Sequence, residues 1–444
     1  MSRSNPFSRR LFLKQAAATL ALPAFIPHLC SAAPTDVVRH ASFGASGMAW
    51  ADLSSIASHP KVKLICVADV DLARTADVKK RFPEVRVYQD WRELLDKEHK
   101  NLDSVNVSTP DHMHAPIGMS AMQLGLNVYG QKPLTHDVYE SRRLAEFAAE
   151  KKLVTQMGIQ VHSSAEYRAA VATIQAGAIG KVKAVHTWSN KKWGDPAPRP
   201  ERMDAIPASL NWDLWLGIAE PRAYIKAYDH PGTWRKRLDF GTGTFGDMGC
   251  HIFDPVFKAL ELTAPLTVKS TGSAPNASNW ASDAVVEFTF PETPQSIGPE
   301  FPITWYDGDK RPSPEVTGPV LGKIPLPDQG SLFLGTTGAM LLPHKAMPIL
   351  LPEAQYKDYQ RPKVTDNNHW HQFVNAIRGE GTTSAHFGYS GPLTESVLLG
   401  GVATYFPNEK LEWDAASLKF KNKPEAAKYI RRTYRKGWDV KGLS

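Results

Sequence analysis

Between residues 37 and 157, short apolar runs alternate with helix-like stretches at tight intervals. This rhythm constrains the fold more than any other feature of the 444-residue chain. Val62-Lys63-Leu64-Ile65-Cys66-Val67-Ala68 is a near-continuous apolar run, as expected for a strand covered on both faces. Further strands are expected at 37–43, 85–88, 104–108, 126–129 and 154–157. Helices are expected over 47–58, 71–82, 90–96, 115–125 and 137–151. Such alternation specifies an α/β domain with a doubly wound, parallel Rossmann sheet, assigned here to residues 34–157.

Residues 158–444 change character. A helix is expected at 164–176 and a long strand at 182–193, followed by a stretch rich in Pro, Trp and Gly to 245. Strands are expected at 268–271, 284–290, 303–306 and 331–334, and helices at 368–378 and 392–404. The long connections predict an α+β domain with a large open, mostly antiparallel sheet. Residues 291–330, dense in Pro and Gly, read mainly as loop.

The first strand runs into Gly44-Ala45-Ser46-Gly47-Met48-Ala49. A dinucleotide turn needs Gly for the tight bend, a second Gly where backbone meets pyrophosphate, and a small third residue for helix packing. Gly44 and Ala49 satisfy the first and third demands. Ser46 stands at the second, with Gly47 beside it to restore flexibility. Asp69 falls at the tip of the second strand, 22 residues beyond Gly47. A carboxylate there accepts hydrogen bonds from ribose hydroxyls and repels a 2′-phosphate, which predicts NAD over NADP. Arg74 is a counter-signal.

The N-terminus reads Ser8-Arg9-Arg10-Leu11-Phe12-Leu13-Lys14 followed by a short apolar stretch, with small residues at Ser31, Ala32 and Ala33. That order matches a twin-arginine export signal over residues 1–33 and predicts a periplasmic or secreted protein. Twin-arginine export carries folded proteins, which fits a cofactor loaded before export. The formal charge is +7, but residues 1–33 hold four basic residues and no acid, leaving +3 for the rest. So small an excess argues against a nucleic-acid partner, and no run approaches the ~20 apolar residues of a membrane span. Cys66 and Cys250 have no zinc or CxxC spacing and are expected as free thiols.

Four blocks carry a resemblance: the glycine turn through Asp69; Ser108-Thr109-Pro110-Asp111-His112-Met113-His114; Tyr129-Gly130-Gln131-Lys132-Pro133-Leu134-Thr135-His136; and Gly246-Asp247-Met248-Gly249-Cys250-His251. Asn211-Trp212-Asp213-Leu214-Trp215-Leu216-Gly217 and Gly335-Thr336-Thr337-Gly338 also fit. In this order the chain resembles the Gfo/Idh/MocA oxidoreductases, whose usual Glu-Lys-Pro is Gln131-Lys132-Pro133 here. The resemblance implies a hydride-transferring enzyme for a sugar, glycoside or cyclic polyol, with homo-oligomers built on the open sheet. It places Lys132 and His251 beside the nicotinamide as acid/base groups, with Asp247 as their partner. It also implies cofactor contacts from Gly44, Ser46, Gly47, Met48, Asp69, Thr109, Pro110, His114, Gln131 and Lys132. Asp247 and His251 share one face if their stretch is helical, so the carboxylate can orient the imidazole. Asp254 follows one turn on, and Trp193 offers an aromatic platform; both are expected at the substrate with Lys132, Asp247 and His251. His112/His114 and His369/His371 form HxH pairs without a third ligand, so no metal is expected. Two other activities stay open. One is glycoside cleavage through transient oxidation, elimination and re-reduction on tightly held NAD. The other is non-catalytic sugar binding, against which the joint presence of Lys132, Asp247 and His251 argues.

Overall fold

The computed structural model describes residues 36–444; the export-signal expectation lies outside the described residues. Six parallel strands form the first sheet: β1 (Val38–Phe43), β2 (Val62–Ala68), β3 (Arg86–Tyr88), β4 (Ser104–Val107), β5 (Asn127–Gly130) and β6 (Thr155–Met157). Their spatial order is β3-β2-β1-β4-β5-β6, the Rossmann arrangement in which the chain reverses direction between β1 and β4. Register keeps the strand ends flush: Phe43 pairs with both Ala68 and Val107, and Val107 with Gly130. The loops carrying Gly44, Asp69, Thr109 and Gln131 therefore leave the sheet along one edge, beside the reversal.

Among the described residues the second sheet has nine strands, β7 (Val182–Ser189) to β15 (Lys419–Phe420), in the order β13-β12-β11-β7-β10-β9-β8-β14-β15. Here β8 is Thr267–Thr271, β9 Val285–Pro291, β10 Glu300–Asp307, β11 Gln329–Gly335, β12 Ala339–Pro343, β13 Ile349–Leu351 and β14 Lys410–Asp414. Pairing is antiparallel except between β7 and β10.

The expected loop at 291–330 is corrected in two places. β10 extends the strand expected at 303–306 to eight residues, with Phe301, Ile303 and Trp305 buried at alternate positions. Pro302 is tolerated because pairing with β7 starts only at Ile303. Pro314–Leu321 is a helix with proline in its first turn, where the missing N–H costs nothing. The expected strand at 182–193 stops at Ser189, and the expected helix at 71–82 divides into a 3-10 turn, Leu72–Thr75, and the helix Ala76–Arg81. Strands β12 to β15 are not among the expected elements: β13 and β15 are only three and two residues long, β14 carries three charged residues, and β12, although apolar, ends in Pro343.

Three helices position the site. The helix Gly243–Ile252 lies on the second sheet, with Phe245 stacked on Trp305 at 4.6 Å and Ser331 Oγ donating to Ile252 O. The late helices His369–Ile377 and Phe387–Ala403 return to the first sheet. There Gln156 Nε2 donates to His369 O, Ser141 Oγ donates to Gly391 O, and Arg142 pairs with Glu395. Cys66 and Cys250 are buried free thiols, their ionisation pushed up to about 12 by burial. No helix among the described residues is long and apolar enough to cross a membrane.

Candidate active site

A cleft of about 390 Å³ runs along the edge where the first sheet's loops emerge and is closed on its far side by the helix Gly243–Ile252. One end is the glycine turn. Gly44 has φ of +100°, and a Cβ there would lie 2.7 Å from both Ala49 Cβ and Ser108 O, so only glycine fits. Gly47, at φ 61° and ψ −124°, leads into the helix Met48–Ile56 in a conformation also reserved for glycine. It supplies the freedom that Ser46 removes. The helix amides face the space where a pyrophosphate would sit.

Asp69 fastens this turn. One carboxylate oxygen accepts from Ala45 N and the other from Asp71 N, both at 3.0 Å. Burial pushes its ionisation up, and the two amide bonds oppose that. Each oxygen retains a lone pair for a ribose hydroxyl. Arg74 also lines this end, 3.9 Å from where a Cβ on Gly47 would be. Asp69→Ser is therefore expected to weaken NAD binding by about tenfold or more and to narrow the preference over NADP, with Arg74 left to meet a 2′-phosphate. Titration of both nucleotides by fluorescence checks this; unchanged NAD affinity would remove Asp69 from the ribose site.

At the other end, Lys132 Nζ donates to Asp247 Oδ1 at 2.6 Å and to Asp247 O at 2.7 Å. Both side chains are only about one-eighth exposed (12% and 13%), so the pair is shielded but reachable. Burial works against the Asp247 carboxylate, but Lys132 and Arg235 outweigh it and hold the carboxyl well below the usual range. His251, one turn on along the same helix, also lines the cleft. Burial, followed by the Lys132 charge, drives its ionisation well below the ordinary histidine value, so the ring is neutral near pH 7. Its Nδ1 is buried without a partner among the described residues.

All ten expected cofactor residues line the cleft. His114 does so as a clamp, its two ring nitrogens each 2.8 Å from a carbonyl oxygen, Thr109 O and Pro133 O. Three expectations at the substrate end change. Asp254 is buried beneath the cleft, accepting from Tyr389 OH at 2.5 Å and lying 2.9 Å from His162 Nδ1, so it meets no substrate. Trp193 stays outside the lining but packs against the Arg235 guanidinium at 5.7 Å. Asp247 and His251 share a face as expected, yet the carboxylate serves Lys132 and Arg235 rather than the imidazole. The HxH histidines are taken up by packing: His112 Nε2 lies 3.1 Å from Trp215 O, and His369 Nε2 lies 2.8 Å from Met157 O.

A tight glycine turn, a carboxylate at the tip of β2, an open helix N-terminus and an unclaimed imidazole nitrogen fit a bound dinucleotide. Comparison with known proteins agrees. Residues 38–159 match the oxidoreductase family's NAD-binding Rossmann fold, and residues 179–292 match its C-terminal alpha/beta domain, together more than half of the chain. The chain belongs to the Gfo/Idh/MocA oxidoreductase family.

Among curated relatives, levoglucosan dehydrogenase of Pseudarthrobacter phenanthrenivorans is 24% identical over 195 residues, covering 44% of this chain and 41% of that one. Inositol 2-dehydrogenase 4 of Saccharopolyspora erythraea is 29% identical over 157 residues, covering 34% and 46%. The chain thus spans less than half the length of these curated relatives. Among solved structures, an inositol dehydrogenase homolog of Azotobacter vinelandii complexed with NADH and myo-inositol superposes with a TM-score of 0.58. It is 14% identical, with 87% of this chain and all of that one covered, a likeness of fold.

Within this family frame the glutamine at 131 has a structural explanation. Gln131 Nε2 donates to Asp52 Oδ2 at 2.9 Å, and Gln131 Oε1 accepts from Lys132 N at 3.0 Å. Asp52, on the helix Met48–Ile56, also accepts from Ser108 Oγ and Trp370 Nε1. The carboxylate absent from position 131 is supplied one residue-layer deeper. Burial pushes Asp52 up to about 6 despite these three donors. Sequence reading passed over Asp52, His230, Gln160 and Arg235. Only the Trp234-Arg235 pair, in a Trp-rich stretch before Asp247, carried a signal.

Proposed function

We propose that this chain is an exported NAD-dependent oxidoreductase that acts on a secondary hydroxyl of a sugar, glycoside or cyclic polyol. The observation that carries the reading is the Lys132–Asp247 pair standing in one cleft with a glycine turn that fits a dinucleotide. NAD, when bound, accepts the hydride. Everything else falls to the chain's own residues. Gly44, Gly47 and Asp69 hold the dinucleotide, and His114 fixes the Thr109 loop against Pro133. Lys132, anchored twice on Asp247, has one N–H left for a substrate hydroxyl. His251 is neutral and has a free nitrogen, so it can take up the proton that the hydroxyl releases. Asp247 stays ionised throughout and keeps the Lys132 ammonium in place. The relatives named for levoglucosan and inositol support a cyclic polyhydroxyl substrate.

Export through residues 1–33 is part of the same proposal, because a folded, loaded protein suits the twin-arginine route. Protein purified from the periplasm should then release close to one NAD(H) per chain on denaturation, measured enzymatically in the supernatant. With that nucleotide alone, polyols should produce NADH that stalls at one equivalent. Glycosides that release aglycone at constant NADH would instead indicate the redox-neutral cleavage reaction. Protein free of nucleotide and unable to bind NAD would overturn the proposal.

A further inference from the structure

Arg235 is a cation at the substrate end whose hydrogen-bonding capacity is left over. Its Nε donates to Asp247 Oδ1 at 3.2 Å, the same oxygen that Lys132 Nζ holds. Among the described residues no acceptor meets its two terminal nitrogens, and the side chain is 28% exposed on the cleft wall. The plane is nevertheless fixed. Trp234 stacks on the guanidinium at 4.3 Å and Trp193 flanks it at 5.7 Å. An arginine held by two indoles, with its outer fork open to a cleft, is a receptor for a planar anion.

Three further polar atoms here are buried without partners among the described residues: His251 Nδ1 and Gln160 Oε1 on the cleft lining, and Trp193 Nε1 beside Arg235. The dinucleotide's own phosphates do not account for Arg235. Arg74 stands by the glycine turn, whereas Arg235 is tied through Asp247 to Lys132 at the reacting end.

We infer that the substrate is an acidic sugar, a uronic or aldonic acid derivative, whose carboxylate is gripped by the outer nitrogens of Arg235 while a ring hydroxyl lies on Lys132. The inference rests on the reading of the cleft as a sugar-oxidising site. Charge favours a carboxylate over a phosphate. Two cations, Lys132 and Arg235, share one carboxylate, Asp247, and the single surplus positive charge matches a monoanion. A phosphate dianion would leave a net negative charge beside Asp247 in a shielded site. The flat carboxylate also matches the guanidinium fork in two parallel hydrogen bonds.

The test is a binding panel on the intact NAD-loaded protein, followed by calorimetry. The probes are D-glucuronate and D-galacturonate, each with its hexose, its methyl uronate ester and its hexose 6-phosphate. At least one uronate should bind about 10- to 100-fold tighter than its hexose and its ester, the worth of a charged hydrogen-bonded pair. Added salt should erode that advantage and leave the hexose unaffected. Arg235→Gln should bring uronate and hexose to the same affinity. Arg235→Lys, which keeps the charge and loses the fork, should fall between. Unchanged NAD binding and melting temperature would show that both variants are folded. Equal binding of uronate and hexose, tightest binding of the 6-phosphate, no uronate binding below about 10 mM, or a preference that survives Arg235→Gln would each overturn the inference. A uronate that binds selectively while no sugar yields NADH would leave the inference standing and remove the oxidoreductase reading. NADH formed from hexoses without uronate preference would do the reverse.

Discussion

Lys132→Met is expected to leave NAD bound and to slow hydride transfer by ~100-fold or more, the scale of losing a charged donor aimed at the reacting oxygen. The pyrophosphate and ribose contacts lie at the Gly44 and Asp69 end, away from the substituted side chain. His251→Ala should also slow transfer, because it removes the neutral ring that takes the proton. If both residues serve one proton path, the double variant loses less than the product of the singles. Asp247→Asn should be nearly as damaging as Lys132→Met. The carboxylate anchors the Lys132 ammonium at 2.6 Å and balances Arg235 as well. Single-turnover NADH absorbance measures all of these. Near wild-type transfer in both Lys132→Met and His251→Ala would place the chemistry on other residues.

The second large effect runs against family resemblance. Gln131→Glu restores the family's usual residue, yet it should destabilise the protein. The new carboxylate would sit where Gln131 Nε2 now lies, 2.9 Å from Asp52 Oδ2. Two carboxylates at that distance cannot both ionise in a buried site. Asp52 already has its ionisation raised to about 6 by burial, against 3.8 for an ordinary Asp. A carboxyl raised in the folded state contributes stability that is present below its unfolded value and lost as pH rises through its folded value. The introduced carboxyl pushes the pair higher still. The gap between variant and wild type should therefore be small near pH 5 and grow to about 3 kcal/mol near pH 8. Urea unfolding at the two pH values reads this directly. The double variant Asp52→Asn with Gln131→Glu should recover most of the loss, since an amide and a carboxylate again face each other with their places exchanged. A gap that shrinks as pH rises would show that Asp52 does not face residue 131 as a carboxylate.

Much of this fold was legible because its determinants are local. The strands and helices between 37 and 157 show themselves in short windows of apolar periodicity. Gly44 and Gly47 mark the turn because backbone sterics leave no other residue there. The helical spacing that puts Asp247 and His251 on one face is likewise a property of ten consecutive residues. Where determinants are distant, reading fails. Strand β14 exists because β8, about 140 residues earlier in the chain, supplies its hydrogen bonds, and β10 overrides its proline by pairing with the distant β7.

The site divides along the same line. Sequence alone determined the dinucleotide turn, the carboxylate after β2, and the presence of Lys132, Asp247 and His251 in blocks of recognisable order. Tertiary structure alone decided whom each side chain serves. Asp247 and His251 are neighbours on one helix, but Lys132 and Arg235 arrive from other elements and outcompete the imidazole, because a cation gains more from a shielded carboxylate than a neutral ring does. Asp254 has the right spacing and is lost beneath the cleft, where His162 and Tyr389, both distant in sequence, claim it. Asp52 lies 79 residues from Gln131 and meets it only because the helix after β1 packs beside the loop after β5. Periodicity reports which face a residue occupies. The partner on that face is chosen by packing between segments tens to hundreds of residues apart, and no local pattern records that choice.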